Sequence, residues 1–256
     1  MNHSIRDQFG PLARRSVARS VRLPILVVPG FVFPLFMLAV LSAAGGQVTK
    51  VPGFPTHSYL TFILGSTMIM GATGAMNVAG SAMASDIESG FLNRLALTRI
   101  SGAALVLAQL AGVALLGAVQ AALTLLVGLA GGASVKAGVG GALALVPFVA
   151  LVVLAFGAVG VYVAVRTGSA TGVQSLSAIG IALLFLSSMV MPRNLISKDW
   201  FKEIATYNPT SYLVEGTRSL LVTGWDGQAL ALGCGIAAAV LIVALGGAIH
   251  AMARRL

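Results

Sequence analysis

Residues 85–99 read Ser85-Asp-Ile-Glu-Ser-Gly-Phe-Leu-Asn-Arg-Leu-Ala-Leu-Thr-Arg99 and form a polar island between two long apolar runs. The Ser85-x-x-Glu88 spacing is typical of a capping box, in which each side chain accepts a hydrogen bond from a backbone amide at the start of a helix. Apolar residues recur every four positions and predict one apolar face: Ile87, Phe91 and Leu95. The island therefore predicts a short amphipathic helix over 85–98, which is either a solvated loop helix or a docking surface.

The composition places this island in a membrane protein. Of the 256 residues, 57% are hydrophobic and only 9% are charged, and the mean hydropathy is +0.96. A soluble domain carries about 25% charged residues, so this chain has too few to cover a water-facing surface. The net charge of +9 comes from basic residues scattered between apolar runs. They indicate topology signals and contacts with anionic lipid rather than the basic face of a nucleic-acid-binding domain.

The apolar runs predict an all-α polytopic membrane protein with six transmembrane helices. Each charge-free window holds the roughly 20 apolar residues that a spanning helix needs. We place the spans near 24–42, 59–82, 103–129, 143–165, 173–191 and 229–251. Residues 23–256 then form a single transmembrane domain. Residues 1–22 precede it as a basic, amphipathic helix in the inner interface; a disordered basic tail is the alternative.

The distribution of Lys and Arg predicts the orientation of these spans, since cytoplasmic loops carry the excess. With the N-terminus inside, ten of the sixteen basic residues are cytoplasmic: Arg6, Arg14, Arg15, Arg19, Arg22, Arg94, Arg99, Arg166, Arg254 and Arg255. Four of the other six lie in one long external loop, where the rule has less weight. Both termini and the island are therefore expected in the cytoplasm.

Small residues line one side of the second span at four-residue spacing. Gly71, Ala75 and Ala79 would let another helix backbone approach closely, which predicts a helix-packing stripe. No Asp, Glu, Lys or Arg lies inside any predicted span. Ion-coupled carriers usually keep such a group near the midplane, so its absence argues against a secondary transporter.

The external segment 192–224 has the pattern of a helical hairpin. Ser197 would cap a short helix ending at about Tyr207, and Asn208-Pro209 would provide the N-cap and first residue of a second helix. The second helix carries Tyr212, Glu215 and Arg218. The last two would pair with each other or with charged residues of the first helix: Lys198, Lys202 and Glu203. Two helices too short to span predict a re-entrant or interfacial hairpin.

Sequence signatures of catalysis are missing. The pattern G-x-x-x-x-G-K-[ST] does not occur, so the chain has no P-loop with which to hydrolyse a nucleotide. The three histidines are dispersed along the predicted topology, and the single cysteine excludes a cysteine-based metal site. We expect no catalytic residues, no bound cofactor and no metal in this chain.

Two motifs carry a resemblance to a known family. One is D-x-E-x-G-x-x-x-R from Asp86 to Arg94, and the other is N-P-x-x-Y-x-x-E-x-x-R from Asn208 to Arg218. Together with the six spans and the basic N-terminal helix, they resemble the ABC type-2 exporter permeases, in particular the daunorubicin-resistance-like branch. The sequence departs from the family pattern after Leu97-Thr98, where a proline is common and Arg99 stands here.

The resemblance implies a division of labour between subunits. Two permeases, either two copies or a copy and a paralogue, would pair with two cytosolic ABC ATPase subunits, which hold the ATP and Mg²⁺. The 85–98 helix would be the coupling helix that seats in the ATPase, through Asp86, Glu88, Gly90, Phe91 and Arg94. The implied location is a bacterial cytoplasmic membrane, and the implied cargo is a hydrophobic drug, a lipid or a related substrate.

Two alternatives remain at this point. An ATP-independent carrier or channel would transport without an ATPase partner. A permease for a lipid-linked glycan would differ only in cargo; short loops and the lack of an aromatic run along the spans favour a drug or lipid instead.

Overall fold

The computed structural model describes residues 24–91 and 101–255, together with Gly10, Ala13, Arg14 and Ser16, and only the backbone of 24–29. Regular structure in these parts is entirely helical. The α-helices, in chain order, are α1 (Pro24–Ala44), α2 (Tyr59–Glu88), α3 (Gly102–Ala130), α4 (Gly138–Thr167), α5 (Ala170–Phe185), α6 (Asp199–Tyr207), α7 (Pro209–Arg218) and α8 (Gly227–Ala253). Short 3₁₀ turns cover Gly45–Lys50 and Arg193–Leu195, and a π-helical turn, Ser219–Thr223, continues α7.

Five helical segments are long and apolar enough to cross a membrane: Gly30–Lys50, Tyr59–Glu88, Gly102–Ala130, Gly138–Thr167 and Gly227–Ala253. The sixth predicted span corresponds to α5, an apolar helix of 16 residues. At 1.5 Å per residue, α5 alone is about 24 Å long, short of the roughly 30 Å hydrocarbon thickness of a bilayer. Each of the six predicted windows contains a helix, and five of these helices reach spanning length.

Helices α2 and α4 form the centre of the bundle, and α2 is the more buried of the two. The two helices approach closely because, where they cross, a glycine of each helix lies against the backbone of the other. A Cβ on Gly160 would lie 2.2 Å from the Met76 carbonyl oxygen, and one on Gly80 would lie 2.8 Å from the Gly160 carbonyl oxygen. Such contacts between small residues are the usual means by which apolar helices associate where water provides no hydrophobic drive.

The other crossings use the same device. Gly74 of α2 lies against Gly30 of α1, where an added Cβ would be 3.0 Å from the Gly30 Cα. Gly157 of α4 receives the Val113 side chain of α3, and Gly117 of α3 receives Val153. The bundle is therefore packed backbone against backbone around α2 and α4, with aliphatic side chains filling the remaining space.

The bundle has two distinct ends. We call one the arginine end, because Arg166 and Arg255 meet there, the Arg255 Nη2 donating to the Arg166 carbonyl at 3.5 Å. The other is the hairpin end, which carries α6, α7 and the segment 186–198. There the Ser134 amide after α3 donates to the Thr61 hydroxyl at the start of α2 (3.1 Å). Long helices that follow one another in the sequence thus run antiparallel, whereas α2, α4 and α8 all run from the hairpin end to the arginine end.

The island does not begin a new helix at Ser85, so the predicted capping box is wrong. Helix α2 continues through Ser85 and ends at Glu88, six residues beyond the predicted end of the span. Nothing in the small-residue sequence before Ser89 breaks the helix; the break comes at Gly90, whose φ of +67° is the left-handed conformation that glycine adopts freely. Phe91 is again helical, and residues 92–100, with Arg94 and the rest of the predicted 85–98 helix, lie outside the described residues.

Two further boundaries differ from the prediction. The fifth helix ends at Phe185 rather than near 191, because the carbonyl groups after it bind side chains of α2 and α7 instead of continuing the helix. The first helix of the hairpin begins at Asp199 after Lys198, so Ser197 is not its cap. Of the predicted N-terminal helix over 1–22, the four described residues are helical, and the Ser16 hydroxyl donates to the Gln109 carbonyl of α3 (3.1 Å).

Candidate functional site

The hairpin is organised by a helix cap at its corner. Asn208 is the N-cap of α7 and Pro209 is its first residue, which confirms the predicted pair. The Asn208 Oδ1 accepts from the Thr210 amide (2.9 Å), and its Nδ2 donates to the Leu183 carbonyl of α5 (2.6 Å). The same side chain therefore starts α7 and ties it to the last turn of α5.

Arg218, at the other end of α7, is 7% exposed and is surrounded by backbone carbonyl groups. Its Nε donates to Phe62 of α2 (3.2 Å), its Nη1 to Ser188, and its Nη2 to Met189. Nη2 also donates to the Ser66 hydroxyl (2.9 Å). The guanidinium lies over the Phe62 ring, 3.5 Å from its centroid, in a cation–π arrangement.

The non-helical segment after α5 explains why position 218 requires an arginine. Residues 186–191 have no continuous helical ladder, so their carbonyl groups need donors from elsewhere. Arg218 serves two of them, Ser66 also donates to Met189 (3.0 Å), and the Tyr59 hydroxyl donates to Val190 (3.0 Å). A planar guanidinium with five N–H groups can serve several acceptors at once, which a lysine cannot do.

Glu215 forms an ion pair with Arg193 and not with the partners expected from the sequence, which were Arg218 and the charged residues of α6. The pair is bidentate, with the Arg193 Nε donating to Oε1 at 2.6 Å and its Nη2 donating to Oε2. Arg193 also lies 4.4 Å from the centroid of the Tyr212 ring, and the Tyr212 hydroxyl donates to Thr206 (2.9 Å). Partial burial lowers the pKa of Arg193, but the hydrogen bond and charge of Glu215 outweigh it and raise that pKa overall. The guanidinium therefore keeps its charge at neutral pH.

A cavity of about 530 Å³ opens beside this ion pair at the hairpin end. Its polar side holds Arg193, Glu215, Asp226 and Gln228, and its apolar side runs down α8 to Leu232. We call it the hairpin cavity. Among the residues predicted for the hairpin, the structure thus brings Tyr212, Glu215 and Arg218 to one wall, while Asn208 and Pro209 lie at the corner of the hairpin.

A second cavity, of about 470 Å³, lies between α1, α2 and α5. Its walls are mostly apolar, with Phe33 and Met70 among them, and its polar groups include Asn77 and Gln174. The Asn77 Oδ1 is buried and has no hydrogen-bond donor in the described part of the chain. We call this space the groove; an amide acceptor in an apolar wall suits the polar atom of an otherwise hydrophobic molecule.

The predicted coupling residues lie at the arginine end, where α2 stops. Asp86 is buried (7% exposed), whereas Glu88 is exposed one half-turn later. Ile87 and Phe91 pack against the core of the bundle from this side, as expected for the apolar face. The acidic residues do not lie in the first turn of a helix, where the macrodipole would favour them. They lie at the C-terminal end of α2, where the macrodipole disfavours a negative charge.

The predicted packing stripe on α2 is only partly the contact surface. Gly71 makes room for Gln120 of α3, whose Nε2 donates to the Met68 carbonyl (3.2 Å). Ala79 is fully buried and Ala75 partly so. The closest backbone approaches are instead at Gly74 and Gly80, which are displaced from that stripe and were missed because their partners, Gly30 and Gly160, lie far away in sequence.

Arg193 is a residue of the candidate site that the sequence did not single out. The sequence places it only in the external loop. A local signal is its position directly after Pro192, which ends the apolar run of the predicted fifth span. Within the described residues, no group of three His, Cys, Asp or Glu side chains could hold a metal ion.

A family model described as ABC-2 type transporter matches residues 7–222, a range that includes the polar island and the whole of α7. No curated protein matches the sequence.

Proposed function

The chain belongs to the ABC-2 type transporter family, and on that premise we propose that it is the membrane permease of an exporter driven by ATP hydrolysis in a separate subunit. Permeases of this family generally work with a cytosolic ATPase subunit. The family match over 7–222 is the observation that carries the proposal, and the missing P-loop motif supports a partner that binds ATP and Mg²⁺.

We propose six membrane crossings, with both termini in the cytoplasm of a bacterial cell. Helix α5 and the segment after it follow α2 along most of its length: Val173 lies against Gly80 near the arginine end, and Val190 meets Tyr59 at the hairpin end. The combined segment therefore covers a distance that α5 alone does not. The arginine end would face the cytoplasm, and α6 with α7 would form a hairpin that is external and partly re-entrant.

The coupling surface would be the end of α2 and the residues that follow it. Glu88, Gly90, Phe91 and Arg94 would contact the ATPase, and buried Asp86 would support them from within the bundle. Because α2 contacts α1, α3, α4, α5 and α7, a push on its cytoplasmic end would move the centre of the bundle as one body. Two permeases, as a homodimer or with a paralogue, and two ATPases would form the complete exporter.

The groove between α1, α2 and α5 favours a hydrophobic drug or a lipid as cargo. Its apolar walls would hold the body of such a molecule, and Asn77 would accept a hydrogen bond from its polar group. A lipid-linked glycan remains the alternative cargo, and an ATP-independent carrier or channel remains the alternative mechanism. Transport by the purified chain in liposomes without an ATPase would favour that second mechanism.

Charge reversal at the arginine end tests the coupling surface. We expect Glu88→Arg and Arg94→Glu to abolish ATP-dependent transport while leaving insertion into the membrane intact, because like charges would then meet across the contact with the ATPase. The measurements are co-purification with the ATPase and substrate export from cells.

Glu203→Arg on α6 is the matched control, since it makes the same charge change on an exposed residue at the opposite end of the bundle. Normal ATPase assembly and transport in both arginine-end variants would refute the coupling assignment. The ATPase that co-purifies with the unaltered chain would at the same time identify the partner.

A further inference from the structure

We propose that the hairpin cavity binds the head group of a zwitterionic phospholipid that carries a primary ammonium, as in phosphatidylethanolamine. The proposal rests on the proposed placement of the bundle in a membrane, but not on coupling to an ATPase or on the identity of the cargo. The lipid would come from the leaflet that surrounds the hairpin end.

The cavity has the shape that an amphipathic ligand requires. Its mouth is polar, with Asn194, Asp226 and Gln228, and its floor is apolar, with Ala229 and Leu232 of α8. Leu232 is 44% exposed, and α8 continues from it as an exposed apolar face: Ala239 and Val243. A head group in the cavity would therefore let an acyl chain run along α8 within the hydrocarbon layer.

The charges in the cavity match a zwitterion. Arg193 and Arg218 contribute two positive charges, and Glu215 and Asp226 contribute two negative ones. The Arg218 N–H groups are bound to backbone carbonyls and to Ser66, whereas Arg193 uses two of its three nitrogens for Glu215. Arg193 keeps further N–H groups with which to bind a phosphate, since a guanidinium has five.

Asp226 provides the acceptor for the ammonium. Its Oδ1 caps α8 by accepting from the Gln228 and Ala229 amides, both at 3.1 Å. Among the described residues its Oδ2 has no hydrogen-bond donor, although Asp226 lines the cavity. A primary ammonium could donate to this oxygen; the trimethylammonium of choline has no N–H, and glycerol has no positive charge.

The cavity also lies at the depth of lipid head groups. The chain has two tryptophans, and both are exposed at the hairpin end, Trp225 by 62% and Trp200 by 60%. Tryptophan is enriched where the hydrocarbon layer meets the head groups. Trp225 is the residue before Asp226, so the polar mouth of the cavity is at this level.

Native mass spectrometry of the purified full-length permease, without ATPase, tests the proposal. The probes are phosphatidylethanolamine, phosphatidylcholine and phosphatidylglycerol with identical acyl chains, and the measurement is the dissociation constant of the first bound lipid. We expect phosphatidylethanolamine to bind about fivefold more tightly than the other two, because Asp226 is exposed and an exposed charge pair contributes up to about 1 kcal/mol.

Asp226→Asn separates the head-group contact from the fold. Asparagine caps a helix about as well as aspartate, so α8 should form as before while the negative charge is lost. We expect phosphatidylethanolamine to lose its advantage and to bind this variant no more tightly than the other two lipids do. Asp199→Asn removes an equally exposed carboxylate from α6, outside the cavity, and should keep the preference.

Leu232→Trp tests the apolar floor independently of charge. Leu232 is partly exposed, so a larger side chain should fill the cavity without disturbing the core, and we expect at least a fivefold loss of phosphatidylethanolamine binding. Equal binding of the three lipids by the unaltered chain, or a preference that survives both variants, would overturn the proposal. Loss of transport alone would bear on the proposed function and not on this site.

Discussion

Arg218 stabilises the hairpin end by donating hydrogen bonds to backbone carbonyl groups of α2 and of the non-helical segment after α5. The acceptors come from two different parts of the chain, Phe62 on α2 and Ser188 and Met189 after α5. Leaving a buried acceptor without a donor costs about 1–3 kcal/mol. The side chain is therefore a structural centre for three segments, and its charge is part of the fold.

Arg218→Lys should strongly destabilise the protein even though the charge is kept. An ammonium cannot reach this set of acceptors in the geometry of a guanidinium, so at least two of the four hydrogen bonds of Arg218 would be lost, at a cost of about 3 kcal/mol or more. For a chain of this size we expect the unfolding temperature in detergent to fall by roughly 6–12 °C.

Arg193→Lys is the comparison for that measurement. The Arg193–Glu215 pair is partly exposed, and such pairs contribute about 1 kcal/mol or less. The unfolding temperature of the Arg193→Lys variant should therefore fall by a few degrees at most. Equal stability of the Arg218→Lys variant and the unaltered chain would contradict the role given to Arg218.

At this scale the sequence predicted the cap at Asn208, but the caps predicted at Ser85 and Ser197 are wrong, and the partners of Arg218 were not predicted. Asn208-Pro209 was recognised because a helix cap depends on neighbouring residues. The acceptors of Arg218 could not be predicted, since they are backbone atoms up to 156 residues away and carry no side-chain signal. For the same reason the sequence offered Arg218 as the partner of Glu215, when Arg193 is closer in space.

At the scale of elements, the crossing of α2 and α4 depends on Gly160. An added Cβ would lie 2.2 Å from a backbone oxygen of Met76, which cannot rotate away as a side chain could. The two helices would have to separate at the centre of the bundle. Overpacking of this kind costs about 1–3 kcal/mol.

Gly160→Ala should therefore lower the unfolding temperature by roughly 2–10 °C, measured in the same detergent. Gly246→Ala on α8 is the matched control, because a Cβ there would meet nothing within 4 Å. That variant should be as stable as the unaltered chain or slightly more so, since alanine favours a helix over glycine. A stable Gly160→Ala protein would mean that α2 and α4 are not held by this contact.

Helices were predictable from the sequence, but two of their ends were not. Long apolar windows gave every major helix, because a bilayer requires about 20 such residues in a row. The end of α2 was misplaced because Ser85-x-x-Glu88 matches a cap locally, whereas the helix breaks only where Gly90 takes a positive φ. The end of α5 was misplaced because its carbonyls find donors on α2 and α7, which a local pattern does not contain.

At the scale of the whole molecule, the two ends of the bundle should lie on opposite sides of the membrane. The single native cysteine, Cys234, can be replaced by alanine, after which one new cysteine marks each end. We choose Asp199→Cys on α6 and Arg254→Cys after α8, both at exposed positions. A membrane-impermeant maleimide should label the first in intact cells and the second only after permeabilisation. The reverse labelling pattern would contradict the orientation predicted from the basic residues.

The contacts of Arg218 also impose an order on synthesis. Residues 183–191 enter the membrane before 208–218 have been made, so several of their carbonyl groups at first lack the donors that they have in the finished protein. Helix α2 is made earlier still, and the hydrogen bond between its Phe62 carbonyl and Arg218 forms only when that arginine arrives. The hairpin end is therefore completed late, when α7 joins α2 and the end of α5. A chain that ends before residue 218 would lack every hydrogen bond that Arg218 makes to these two segments.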